Sequence, residues 1–136
     1  MDDYRDAIAS CCRQLRLSAN LADHAFAIQG ETHQEYLYNL LSEEIKCRKA
    51  ARIGKLIHSA GFPVQHNFAA FQPDEVQFPS GVTPESLKAL EFFHAGNNLV
   101  MYGSTGTGKT MLSICIGMEA CRSGIPVKFF RTASLI

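Results

Sequence analysis

The residues in this sequence best suited to chemistry form one glycine-rich stretch, Gly103-Ser104-Thr105-Gly106-Thr107-Gly108-Lys109-Thr110. Their spacing fits G-x-x-x-x-G-K-[ST], the pattern of a phosphate-binding loop. Glycines let the backbone curl tightly and remove side chains that would block a phosphate. Backbone N–H groups from about Gly106 through Met111 can then point at phosphate oxygens. Lys109 would bring a positive charge to the β- and γ-phosphates, and the Thr110 hydroxyl would bind Mg²⁺.

The flanks of this stretch supply the context that a phosphate-binding loop requires. The short apolar run 99–102 predicts a buried parallel strand before the loop. After the loop, residues 110–123 carry apolar side chains at helical spacing, and Gly124 follows as a helix C-terminal glycine. The alternative is a chance glycine-rich turn between a strand and a helix. The order of strand, loop and helix favours a nucleotide-phosphate site at Gly103–Met111.

Composition excludes some classes of function. The formal net charge is zero, with 46% hydrophobic and 19% charged residues, as expected of a soluble globular protein. No overall charge argues for binding to nucleic acid or membrane. No apolar run approaches the roughly 20 residues that cross a bilayer, and the acidic start lacks the pattern of a signal peptide. We expect a cytoplasmic protein without membrane contact.

The five cysteines do not form a recognisable metal or redox motif. None of them has C-x-x-C spacing, so buried or half-buried thiols in a reducing compartment are favoured. They are Cys11, Cys12, Cys47, Cys115 and Cys121. The sequence therefore predicts no metal site other than the Mg²⁺ that accompanies a nucleotide.

Helical patterns fill the chain up to residue 62, which predicts an N-terminal helical domain over 1–62. Apolar side chains at helical spacing predict a first helix over 2–15. We expect Ser18 to cap a second, short helix that Gly30 ends. Thr32 and Glu35 then form the T-x-x-E pattern of a capping box. This pattern opens the longest helix, which runs to about residue 60 and which Gly61 ends.

The second half of that long helix is basic. Its cations are Lys46, Arg48, Lys49, Arg52 and Lys55. They could contact the phosphate backbone of DNA. They could equally form a solvated face, since cations are favoured near the C-terminus of a helix.

An aromatic-rich connecting segment follows over 63–82. Together with Phe62, its phenylalanines Phe68, Phe71 and Phe78 argue against a free linker. We expect these rings to pack on a neighbouring core, with a border to an adenine ring as the less favoured alternative.

The remainder, 83–136, predicts an incomplete P-loop core. Thr83 followed by proline begins a helix that continues to Gly96. The loop and its helix come next, then a second strand over 125–130 and the start of a further helix near Thr132 or Ser134. The predicted fold class is α/β: an N-terminal helical region followed by the first part of a P-loop NTPase core with two strands.

The run 98–136 resembles the IstB-like helper ATPases of bacterial insertion sequences, which belong with the DnaC-type helicase loaders in the AAA+ group. Residues 15–18, 57–63 and 87–98 carry weaker parts of the same resemblance. It implies an ATP- and Mg²⁺-binding subunit that assembles into homo-oligomeric rings or spirals on DNA and assists a transposase. It also strengthens the DNA interpretation of the basic helix.

The sequence departs from the family pattern at its end. Family members continue through further strands, which carry the Walker B acidic residue, the sensors and an arginine finger. After the loop this sequence has a single carboxylate side chain, Glu119, within a helix. No catalytic residue is identifiable, so we expect a portion truncated after the second core strand, which binds ATP without measurable hydrolysis. The alternatives are a non-catalytic helical module or inactive remnant that engages a transposase, and a fragment of a small-molecule P-loop kinase.

Overall fold

A computed structural model describes residues 2–135, without the side chains of Asp2, Asp3 and Glu75. The chain divides into two compact units, Met1–Arg52 and Ile53–Ile136. These are packing units, and the domain boundaries at residues 62 and 82 stay a prediction. Within residues 2–135, none of the helices combines the length and the apolar character of a membrane span.

Three helices build the first unit, as the periodicity predicts. They are α1 (Asp2–Gln14), α2 (Leu21–Ala27) and α3 (His33–Ala60), the last of which continues into the second unit. Cys12 on α1 and Leu21 and Ala22 on α2 are buried. The predicted cap of α2 is wrong, because the residue at the N-cap position is Asn20 and not Ser18. The Asn20 side chain forms no capping hydrogen bond.

The long helix α3 begins and ends as its sequence predicts. The Thr32 hydroxyl accepts a hydrogen bond from the Glu35 backbone N–H at 3.1 Å. The reciprocal bond is shifted by one residue, since the Glu35 carboxylate accepts from the N–H of Glu31 at 2.9 Å. At the other end, Gly61 follows Ala60 with a φ of 74°, a left-handed conformation that glycine adopts at little cost.

One buried carboxylate joins α3 to the segment between α1 and α2. Glu44 on α3 is 5% exposed and accepts from the Ser18 backbone N–H at 3.0 Å. It also accepts from Arg48 Nε at 2.6 Å, and Arg48 Nη2 donates to the Arg16 carbonyl oxygen at 2.6 Å. Burial by itself raises the pKa of Glu44, but the hydrogen bonds from Arg48 and Ser18 outweigh it and hold the pKa below its ordinary value of 4.5.

The second unit packs short elements around one buried helix. These are α4 (Pro84–Lys88), α5 (Glu91–His94) and α6 (Lys109–Arg122), with 3₁₀ turns at Phe68–Ala70, Pro73–Glu75 and Thr132–Ser134. The core cluster consists of Leu87, Leu90, Leu112, Ile116 and Ala120. Phe68, Phe71 and Phe78 pack against it. The prediction of an ordered aromatic segment that packs on the core is therefore confirmed.

The single helix predicted from Thr83 to Gly96 is wrong in its middle. Its cap is confirmed, since Thr83 and Ser86 exchange hydrogen bonds in a capping box. Leu90, however, adopts a left-handed φ of 58° and separates α4 from α5. Such a conformation costs about 1–2 kcal/mol. Burying a leucine side chain contributes about 1.5–3 kcal/mol, so the burial of Leu90 offsets the strain.

The two predicted strands are not formed among residues 2–135, so an α/β core with strands is not confirmed. Burial nevertheless alternates along both segments. Leu99 and Met101 are half-buried against the core, whereas Val100 and Tyr102 are exposed. Over 125–130 the odd positions are half-buried and the even ones exposed. A strand requires a hydrogen-bonded neighbour. In the second segment the Ile125 N–H donates to the Ala120 carbonyl oxygen of α6, and the Phe129 N–H donates to the Ala60 carbonyl oxygen of α3. Both acceptors lie in helices.

The buried carboxylate predicts a specific pH dependence of stability. Because folding lowers the pKa of Glu44, its contribution is present above pH 4.5 and is lost as the pH falls through the folded-state pKa. We expect Glu44→Gln to lower the free energy of unfolding at neutral pH by about 1–3 kcal/mol, with a smaller difference in acid. Urea unfolding at a series of pH values, followed by circular dichroism, measures both.

The matched control is Glu31→Gln, which changes an exposed carboxylate in the same unit. We expect it to follow the wild-type curve. Equal stability of Glu44→Gln and wild type at neutral pH would show that the buried network contributes nothing.

Candidate phosphate-binding site

The glycine-rich loop has the curled backbone that its sequence predicts. Gly103, Gly106 and Gly108 have φ values of 146°, 84° and 83°. Residues with a Cβ rarely adopt these values, which explains the need for glycine. No heavy atom would lie within 4 Å of a Cβ added at Gly106 or Gly108. The restriction at these two positions is therefore conformational, and the space beside them is open.

The backbone N–H groups of this loop are uncommitted. Within the described part of the chain, none of the N–H groups of residues 104–111 donates a hydrogen bond to the protein. The first such bond in this region runs from the Leu112 N–H to the Gly108 carbonyl oxygen at 2.9 Å. Since α6 begins at Lys109, its free N–H groups and its dipole add to the positive potential of the loop.

Lys109 is folded back onto its own loop. Its Nζ donates to the carbonyl oxygens of Gly103 at 2.8 Å and Ser104 at 2.5 Å, and to Thr107 Oγ1 at 3.2 Å. The Thr107 hydroxyl in turn donates to the Ser104 carbonyl oxygen at 2.8 Å. The ammonium group thus lies at the loop with neutral oxygens as its partners. An anion in the loop would offer it a charged partner, and hydrogen bonds between ions are stronger than these.

Thr110 and Met111 follow in the first turn of α6. Thr110 is exposed, and its carbonyl oxygen accepts from Ser113 Oγ at 2.8 Å. Its own hydroxyl has no hydrogen-bond partner among the described residues, so it is accessible to a metal ion. Met111 is half-buried and contributes a backbone N–H. The structure therefore brings together all nine predicted phosphate-site residues, Gly103 to Met111.

An open cleft of about 580 Å³ adjoins the loop. Gly103, Thr107, Gly108 and Lys109 of the loop are among the residues that line it. Its apolar lining is Phe71, Val76, Phe78, Pro79, Val82, Leu87, Leu99, Val100, Met101 and Leu112. Sequence patterns did not indicate most of these residues as a binding surface, because the cleft joins segments that are distant in the chain. The aromatic composition of 63–82 was the only available signal.

The predicted DNA-contacting cations differ in their surroundings. Arg48 is held by buried Glu44, so its role in the structure is to neutralise that carboxylate. Lys46 pairs with Glu43 at 3.2 Å on an exposed surface, where such pairs contribute little. Lys49, Arg52 and Lys55 are exposed, and none of them forms an ion pair within residues 2–135.

A family model described as IstB-like ATP binding protein matches residues 14–136. The match covers most of the chain, including the loop and both of its flanks. The chain belongs to this family. The resemblance predicted from the loop and its surroundings is thereby confirmed.

Relatives of this IstB-like chain are named for ATP binding in insertion sequences. A Bacteroides fragilis protein of an IS21-like insertion sequence is 26% identical over 130 residues, which are 91% of this chain and 49% of the relative. A Mycobacterium tuberculosis protein is 28% identical, with coverage of 96% and 54%. The IS5376 protein of Geobacillus stearothermophilus is 29% identical, with coverage of 97% and 55%. The chain spans about half the length of these curated relatives.

Proposed function

We propose that this IstB-like chain binds MgATP at residues 103–111 and forms the nucleotide-binding part of a helper in insertion-sequence transposition. The observation that carries the proposal is the set of uncommitted N–H groups that precede and open α6, with Lys109 beside them. Family membership and the names of the relatives support ATP as the nucleotide. Assembly into a homo-oligomer on DNA is part of the same proposal and rests on the family resemblance.

Each part of the loop has a role in this proposal. The N–H groups of residues 106–111 donate to the β- and γ-phosphate oxygens. Lys109 exchanges its bonds to Gly103 and Ser104 for phosphate oxygens and neutralises their charge. The Thr110 hydroxyl binds Mg²⁺, an ion that prefers oxygen ligands and commonly bridges protein and phosphate oxygens. The apolar cleft lined by Phe71 and Phe78 accepts the base.

The same residues supply binding without hydrolysis. Phosphoryl transfer requires a group that positions the attacking water beside the metal. Glu119 lies ten residues after Lys109 on α6, which places it about 15 Å along the helix axis. It also pairs with Arg122 at 2.6 Å. No carboxylate among the described residues lines the cleft. We therefore assign these 136 residues a nucleotide-binding role.

Lys109→Ala tests the proposal directly. Loss of a charge-assisted hydrogen bond costs about 1.5–3 kcal/mol, so we expect the affinity for a fluorescent ATP analogue with Mg²⁺ to fall about 10- to 100-fold. The matched control is Lys88→Ala, which removes an exposed lysine of α4 in the same unit. We expect it to bind as wild type does. Fluorescence titration measures the affinities, and circular dichroism verifies that each variant retains its helices.

Equal affinities of wild type and folded Lys109→Ala would contradict the phosphate site. They would favour the alternative of a non-catalytic helical module that engages a transposase. That alternative has some support from the exposed apolar side chains of Leu37, Tyr38, Leu41 and Ile45 on α3. Phosphate release from ATP, measured on the same samples, should equal a blank without protein. Release that depends on Lys109 would contradict the binding-only role.

DNA binding by α3 is a second part of the proposal. Its support is the charge of exposed Lys49 and Arg52, which no carboxylate among the described residues neutralises. Lys55 carries the same kind of exposed charge. Arg48 is unsuitable as a probe, because removing it would unpair buried Glu44.

Replacing Lys49 and Arg52 together by alanine should reduce the salt dependence of duplex DNA binding. If both contact phosphates, the slope of log affinity against log salt falls by about 2. Fluorescence anisotropy of a labelled duplex across a salt series measures this slope. The control pair is Arg13→Ala with Lys88→Ala, which removes the same charge from other helices. An identical slope for the α3 double variant and wild type would show that Lys49 and Arg52 form a solvated face and do not contact DNA.

A further inference from the structure

A second candidate site lies in the first unit, away from the phosphate-binding loop. His24 on α2 and Glu43 and Cys47 on α3 place one nitrogen, one carboxylate oxygen and one sulfur within 4.8 Å of one another. All three side chains are half-buried. Glu43 and Cys47 are four residues apart, so they occupy the same face of α3, and His24 approaches from the other helix.

The histidine carries an independent sign of a missing partner. Its Nδ1 atom is buried and has no hydrogen-bond partner within the described part of the chain. Buried polar atoms are nearly always bonded, and each exception requires an explanation. A metal ion bound by the imidazole would explain the unpaired nitrogen. Among the described residues, the polar contact of Cys47 Sγ is a long one, from Asn20 Nδ2 at 3.8 Å, so its sulfur is also available.

The geometry points to a Zn²⁺ site formed by His24, Glu43 and Cys47 that fastens α2 to α3. Imidazole nitrogen, thiolate sulfur and carboxylate oxygen are the three ligand types of protein zinc, and soft sulfur disfavours Mg²⁺ and Ca²⁺. Ligand atoms around tetrahedral zinc lie about 3.3–3.8 Å apart, so modest side-chain rotation closes the site. Water completes the coordination, and the Cys47 thiol releases its proton to solvent when the metal binds.

Lys46 is the competing group at this site. Its Nζ donates to Glu43 Oε2 at 3.2 Å, but its side chain is 73% exposed. Exposed pairs of this kind are weak, and a divalent ion attracts the carboxylate more strongly than an ammonium group does. Zinc would therefore displace Lys46 toward solvent. No part of this proposal depends on nucleotide binding.

Cobalt substitution tests the site on the whole 136-residue chain kept reduced with a phosphine. We expect one equivalent of Co²⁺ to bind with a thiolate-to-cobalt absorption band, and Zn²⁺ to displace it. Cys47→Ser should abolish the band, whereas Cys11→Ser, a change at an exposed cysteine outside the cluster, should retain it. His24→Gln should weaken zinc at least about 10-fold in competition with a chromophoric chelator, and Lys46→Ala should not weaken it.

Thermal unfolding gives a second measurement, which can be interpreted even if one variant folds poorly. A ligand that binds only the folded state raises the melting temperature of a protein. Zn²⁺ should therefore raise the melting temperature of wild type and of Cys11→Ser but not that of Cys47→Ser. Two results would overturn the proposal. One is a wild-type chain that binds neither metal at micromolar concentration. The other is a cobalt band that persists in Cys47→Ser.

Discussion

Burial of α6 is the constraint on which the phosphate-binding loop depends. Ile114, Cys115 and Cys121 are almost fully buried, and a Cβ at Gly117 would lie 2.7 Å from the ring of Phe62. Burial raises the pKa of the Cys115 and Cys121 thiols, so both act as small uncharged core residues. Because the body of the helix is fixed in this way, its amino end is held in place. The flexible glycines that precede it can then curl around a defined point.

The features that sequence predicted well are those decided by neighbouring residues. The Thr83 cap, the glycine that ends α3 and the glycines of the loop each depend on bonds or φ values within a few positions. The family resemblance was visible in the sequence for the same reason, because one contiguous run of residues carries it. A helix with strong amphipathic periodicity, α1, was also predicted correctly.

The features that sequence missed depend on residues distant in the chain. The strands predicted at 99–102 and 125–130 require a neighbouring strand, and the described residues form none, although burial alternates along both segments as a strand pattern predicts. Leu90 breaks its helix to reach the core. The pairing of Arg48 could not be predicted, because its charge is visible in the sequence but the burial of its partner Glu44 is not. His24 and Cys47 lie 23 positions apart, a spacing that no metal motif describes.

Amide chemical shifts report on each N–H group of the phosphate-binding loop separately. In nitrogen–proton spectra of the labelled chain, MgATP should shift the amide signals of residues 104–111, whose N–H groups are free, more than those of the buried part of α6. Inorganic pyrophosphate with Mg²⁺ should shift the same amides and leave Phe71 and Phe78 at the apolar wall unchanged. Saturating MgATP that leaves the signals of 104–111 unmoved would contradict phosphate binding at this loop.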